Sequence, residues 1–166
     1  MLPDPVAGKA KLGAEGGEPG DNPRRAVVRR WTSTTDGKLS VEGTLRHDQN
    51  SLGNSGDGVR ARIISSRLGE LASWNVNGSG SETRLSGVKV QKGDTLDFVV
   101  DSHNDSENDS FRWAPTVKVA GIQENGPKET VWSARDDFRG LAPQPLTVWE
   151  RFARVLLQTN EFAFVE

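Results

Sequence analysis

The string DSHNDSENDS, residues 101–110, gathers the side chains most able to do chemistry in this chain. Asp101, Asp105 and Asp109, with Asn104 and Asn108 between them, are hard oxygen donors of the kind calcium prefers, so these three aspartates are the metal candidates. An EF-hand needs glycine at its sixth place and a bidentate acid at its twelfth. Counted from Asp101, those places hold Ser106 and Arg112, so the loop is not that motif. A less regular site could also draw on Asp48, Asn50 and Asp57 in HDQNSLGNSGDG. The competing reading is a set of Asx turns that reverse the chain between two strands. On that reading, adopted here, residues 101–110 form a solvent-exposed connection with no strongly bound ion.

Catalytic chemistry finds less to work with. His103 lies beside Asp101 and Ser102, but triads assemble from separate elements, and sequence neighbours rarely converge on one atom. Carboxylates for glycoside hydrolysis are plentiful, yet their separation in space decides that chemistry and spacing along the chain does not. The expectation is therefore a protein that is not an enzyme. With no cysteine, thiol catalysis, disulfides, thiolate zinc and covalent haem attachment are excluded for this chain, and no cofactor is expected beyond calcium at the loop. The two histidines are too few for a His-rich metal centre.

Binding surfaces offer three candidate groups. Tyrosine is absent and tryptophan occurs five times, so a ring that stacks on a sugar must be Trp or Phe. Trp74 and Trp113 share parity with apolar neighbours and read as core, which leaves Trp31 and Trp132 as candidate stacking residues, with covering of the core edge the favoured alternative for each. Arg60, Arg62 and Arg112 occupy polar faces of strands and could hold sulfate or carboxylate groups of an anionic glycan, because guanidinium matches such oxyanions bidentately. The alternative for them is cross-strand pairing with Glu42 and Asp97. Lys plus Arg number 21 against 23 Asp plus Glu, so there is no basic footprint for nucleic acid. No apolar run approaches a membrane span. The N-terminal residues MLPDPVAGKA lack the basic-then-apolar order of a secretory signal.

The elements that must position these residues are strands. Among 166 residues, 34 % are apolar, enough for one economically built core. Leu39, Val41 and Leu45 alternate with polar residues. So do Val59, Ala61 and Ile63, then Val88 and Val90, then Leu96, Phe98 and Val100, then Phe111, Trp113, Val117 and Val119. With 26–31 and 70–76 this predicts about seven short strands separated by Gly and Asx turns. The fold class is mainly β: an antiparallel sandwich, jelly-roll or Ig-like, over residues 24–121. Residues 1–23 read as a flexible lead-in and 122–145 as a Pro-, Gly- and charge-rich connector. In 146–166, Thr147 and Glu150 make a capping box for an amphipathic helix. Its apolar face carries Trp149, Phe152, Val155 and Leu156, and is expected to dock onto another body.

Two stretches carry a family resemblance. RRWTSTTDGKLSVEGTLRH, GDGVRARIISSRLGELASWNV and VQKGDTLDFVVDSHNDSENDSFRWAP are similar to a module near the C-terminus of planctomycete cytochrome-c-domain proteins. PLTVWERFARVLLQTNEFAFVE resembles the end of the planctomycete-specific domain of unknown function in those proteins. That end commonly reads Pro-Trp-Glu-Arg, an apolar helix, Ser-Asn-Glu-Phe and a final Phe-Val-Asp. The resemblance covers residues from about 24 onward. It implies a C-terminal piece of a large exported protein, periplasmic or extracellular, without the haem-binding part. The expected partner is the remainder of that parent, and the leading function is a non-catalytic accessory module. The alternative is a carbohydrate-binding module, possible on a sandwich but not implied by it.

Overall fold

The computed structural model describes residues 8–48, 56–103, 108–123, 126–138 and Trp149. Eleven strands and one short 3-10 helix occupy this part. They are β1 (Lys11–Leu12), β2 (Gly16–Glu18), β3 (Val27–Thr32), β4 (Gly37–His47), β5 (Val59–Ser65) and β6 (Gly69–Val76). The chain continues through β7 (Gly80–Val90), β8 (Thr95–Asp101), β9 (Phe111–Arg112), β10 (Thr116–Gln123) and β11 (Gly126–Ser133), and the 3-10 turn is Pro23–Arg25. All strand pairs are antiparallel, and they form two sheets.

The first sheet is organised around β4. Along one edge β4 pairs with β7, from Gly37 opposite Val90 to Arg46 opposite Gly80. Along the other it pairs with β10, Glu42 facing Thr116, and then with β9, Arg46 facing Arg112. Both pairings keep one register, so β9 and β10 are parts of a single extended run interrupted at 113–115. Pro115 has no N–H to give the ladder, which accounts for the break. β11 flanks β10, and the β1–β2 hairpin flanks β9. The second sheet has the order β3-β8-β5-β6.

The sheets pack face to face through the alternating residues. Leu39, Val41, Val59, Ile63, Leu96, Phe98, Val100, Phe111, Trp113 and Val117 are all buried, as their parity requires, and Val88 packs against this cluster half-buried. Aromatic rings join the layers. Phe98 meets Trp113 edge-on at 5.5 Å between centroids, and Trp74 meets Trp113 at 6.2 Å. The Trp113 indole N–H, buried with the ring, donates to Thr83 Oγ1 at 3.0 Å.

The sheet extends past the expected boundaries at both ends. Residues 11–18, placed in the lead-in, form the β1–β2 hairpin and join the first sheet. Their glycines mark close approach here. A Cβ on Gly16 would lie 2.0 Å from the Phe111 carbonyl oxygen, and one on Gly17 would lie 2.2 Å from that of Lys11. Residues 126–133, placed in the connector, are the edge strand β11, with Trp132 opposite Val117 and turned toward the core. Pro127 near its start suits an edge position. Phe138 then folds back against Phe98 at 5.4 Å. The expected helix of 147–159 lies outside the described residues apart from Trp149, which is 77 % exposed.

Candidate functional site

Opposite faces of β8 explain the strongest polar cluster. Leu96, Phe98 and Val100 point inward, so Asp97, Val99 and Asp101 point away from the first sheet. On β5, Arg60 stands directly opposite Asp101 and Arg62 opposite Val99, on that same outer face. Arg60 Nε donates to both Asp101 oxygens at 3.2 Å, and its Nη2 donates to Oδ2 at 3.1 Å. Arg62 Nη2 adds a bond to Oδ2 at 3.0 Å, and the His103 backbone N–H one to Oδ1 at 3.3 Å. The Asp101 side chain is completely buried, while Arg60 and Arg62 are 37 % and 24 % exposed. One carboxylate thus sits between two guanidinium groups, and the cluster keeps a net positive charge.

This corrects the reading of 101–110 as an exposed connection. Asp101, Ser102 and Asp109 are buried at its two ends, because arginines across the sheet and His47 below draw them in. Residues 104–107, including the calcium candidate Asp105, lie outside the described residues, as does Asn50. Among the described residues no group of three acidic or imidazole side chains converges on a cation site. Asp101 spends its oxygens on arginine, which competes directly with a metal ion for them.

The other histidine is the one in a built environment. His47 ends β4 in step with Leu45, so parity places it inside, and its side chain is fully buried. The Gly78 backbone N–H donates to Nδ1 at 3.0 Å. In the neutral ring the proton therefore sits on Nε2, which donates to the Asn108 carbonyl at 2.8 Å. Asp109 Oδ1 is 3.7 Å from the same nitrogen. Beside this ring, Thr44, Arg46, Asp48, Ser79 and Glu82 line an open groove of about 510 Å³. His103 instead pairs with Asp57 at 3.3 Å from a more exposed position, and its backbone is left-handed at φ 52°. The neighbouring Ser102 hydroxyl is buried and reaches no partner among the described residues, so His103, Ser102 and Asp101 do not form a triad.

The remaining candidates separate. Trp31 is only 3 % exposed and presents no face to a ligand. Its parity in β3 turns it inward, where it meets Trp132 edge-on at 5.2 Å. Trp132 is half-buried against the same core, so the pair covers the core edge, and Trp31 is withdrawn as a stacking residue. Arg112 is in the other sheet and pairs with Asp48 at 3.1 Å, so it does not join Arg60 and Arg62. The expected partners also differ. Asp97 binds Arg30, Glu42 binds Lys118, and Asp101 takes both β5 arginines.

Arg29, not singled out by the sequence, is the most embedded arginine among the described residues. It points inward from β3, and its guanidinium donates to the carbonyls of Gly13, Ala14 and Ala134. Burial pulls its pKa below the ordinary arginine value, with Glu15 opposing. It closes the seam where β2 and β11 flank the interrupted 113–115 run. The signal for it was available: Val27, Arg29 and Trp31 share one parity.

No family model matches this chain, and no curated protein or solved structure matches it either. No helix among the described residues is long and apolar enough to cross a membrane.

Proposed function

We propose that the chain is a non-catalytic accessory module, a jelly-roll or Ig-like sandwich belonging to a larger exported planctomycete protein of the cytochrome-c-domain type. Its leading role is structural. The observation that carries this reading is the commitment of the reactive side chains. Asp101 is enclosed by Arg60 and Arg62, and both nitrogens of His47 are engaged by backbone groups. Groups held this way orient the loops at one end of the sandwich and leave little for a substrate. The terminal helix, with Trp149, Phe152, Val155 and Leu156, docks onto the remainder of the parent. The exposure of Trp149 and a core already closed by residues of both sheets support that role. Removing residues 146–166 tests it: the shortened chain should keep its melting transition and aggregate less. A truncation that unfolds the sandwich would reject docking.

One observation favours a carbohydrate-binding reading. Arg60 and Arg62 stand side by side, part-exposed, with one carboxylate between two cations. A sulfated or uronic-acid glycan is the ligand that chemistry would take. An array of neutral and anionic glycans separates the readings. Binding confined to anionic glycans and lost in Arg60→Ala favours the second reading, and no binding favours the first.

A further inference from the structure

The buried His47 has a neighbour whose chemistry the structural role leaves unused. Asn77 and Gly78 begin the turn between β6 and β7. In an Asn-Gly pair the glycine nitrogen can close on the preceding side-chain carbonyl with no Cβ in its path. We propose that Asn77 is a self-modification site, in which His47 acts as base for attack by the Gly78 backbone nitrogen on Asn77 Cγ.

The geometry supplies the base, the groups that orient it and a hold on the Asn77 amide. The Gly78 N–H already points at His47 Nδ1, 3.0 Å away, which is the proton transfer the attack requires. His47 Nε2 donates to the Asn108 carbonyl, and the Asp109 carboxylate lies 3.7 Å off, so a positive ring formed during the transfer meets negative groups. This is the nucleophile–base–orienter order of covalent catalysis, with a backbone amide as nucleophile. The electrophile is held as well. Asn77 Nδ2 donates to the Gly56 carbonyl at 3.4 Å. Gly58, at φ +92°, packs so closely that a Cβ there would lie 2.9 Å from Asn77 Cβ. Asn77 itself is exposed, and Gly78 borders the open groove, so water reaches the product.

The step balances. The bond from Gly78 nitrogen to Asn77 Cγ forms and the bond from Cγ to Nδ2 breaks. The proton taken by His47 passes to the departing amine, which leaves as ammonia. Water then opens the succinimide at either carbonyl, giving aspartate or isoaspartate at position 77.

The test incubates the full chain at neutral pH, folded and in denaturant, and follows peptide 77 by mass spectrometry. Loss of ammonia and then conversion of amide to acid are read, and the digest keeps this peptide apart from Asn125–Gly126, the other such pair. General-base assistance contributes roughly 10²–10⁴-fold, so the folded chain should convert at least about tenfold faster than the unfolded one. An equal or slower rate in the folded chain overturns the proposal, because the hydrogen bond would then be protective. His47→Asn keeps an acceptor for the Gly78 N–H but takes no proton. With its sheet spectrum intact, it should lose the acceleration, and an undiminished rate also overturns the proposal. If that variant does not fold, the comparison of folded and unfolded wild-type chain decides alone.

Discussion

Asp97 and Asp101 stand four residues apart on the outer face of one strand, and each binds arginine across the sheet. Asp97 has the better pair geometry, a fork from Arg30 at 2.6 and 2.7 Å. Yet Arg30 is 62 % exposed and Asp97 21 %, so water and salt compete with each other's partner. Asp101 has longer bonds but no exposure, and its charge is met only by protein groups. Burial, more than bond length, decides what each pair holds together. An exposed pair can be lost with its partners returning to water. A buried carboxylate that loses a partner has no such refuge, whereas its part-exposed arginines keep some access to water.

Removing Asp101 should have the largest effect. Breaking a buried pair costs ~3–5 kcal/mol, and Asp101→Ala should fall near the low end because Arg60 and Arg62 reach water. Urea unfolding reads this as a lower midpoint with an unchanged slope. Arg29→Ala comes next. Three carbonyls lose a charged donor, each such bond being worth ~1.5–3 kcal/mol, but some regain water at the part-open seam, so a total of about 2–3 kcal/mol is expected. Its signature is selective, with early proteolysis in residues 8–18 before the sandwich melts. Arg30→Ala should barely move the midpoint, and high salt should erase the remaining difference from wild type.

The smallest expected effect is one of pH. The Gln91 N–H, 2.9 Å from its Oδ2, holds Asp94 below the ordinary carboxylate range, and Arg67 adds to this. The Lys118 ammonium, hydrogen-bonded at 2.8 Å, does the same for Glu42. Both pKa values are depressed by folding, so their contribution is complete above the unfolded-chain values and is lost as pH falls through the folded ones. Asp94→Asn should therefore lower stability slightly at neutral pH and converge with wild type in acid, so that the acid side of its stability-against-pH curve is flatter. A variant curve parallel to wild type throughout would remove Asp94 from this account.

Much of the fold was legible because the period of two is a local property. Leu39, Phe98 and Trp113 had to share a face with their strand neighbours, and they do. Strands β1, β2 and β11 were not legible. Their glycines, lysines and glutamates read as loop, and what makes them strands is a neighbour far along the chain, Phe111 for Gly17 and Val117 for Trp132. The same limit hid the polar cluster. Asp101 reads as a turn residue until Arg60, 41 positions earlier, is set opposite it. His47 was a different miss. Its parity with Leu45 already marked it as inward, while its neighbours drew attention to His103 instead.

The central claim is that Arg60, Asp101 and Arg62 brace the fold and are not free for a ligand. Double-mutant cycles of Asp101 with each arginine, set beside one of Asp97 with Arg30, test it most directly in denaturant unfolding. The account predicts coupling of about 1 kcal/mol or more for Asp101 with each arginine, and none measurable between Asp97 and Arg30. Coupling absent at Asp101, with folded and equally stable single variants, would contradict it and return both arginines to the glycan-binding reading.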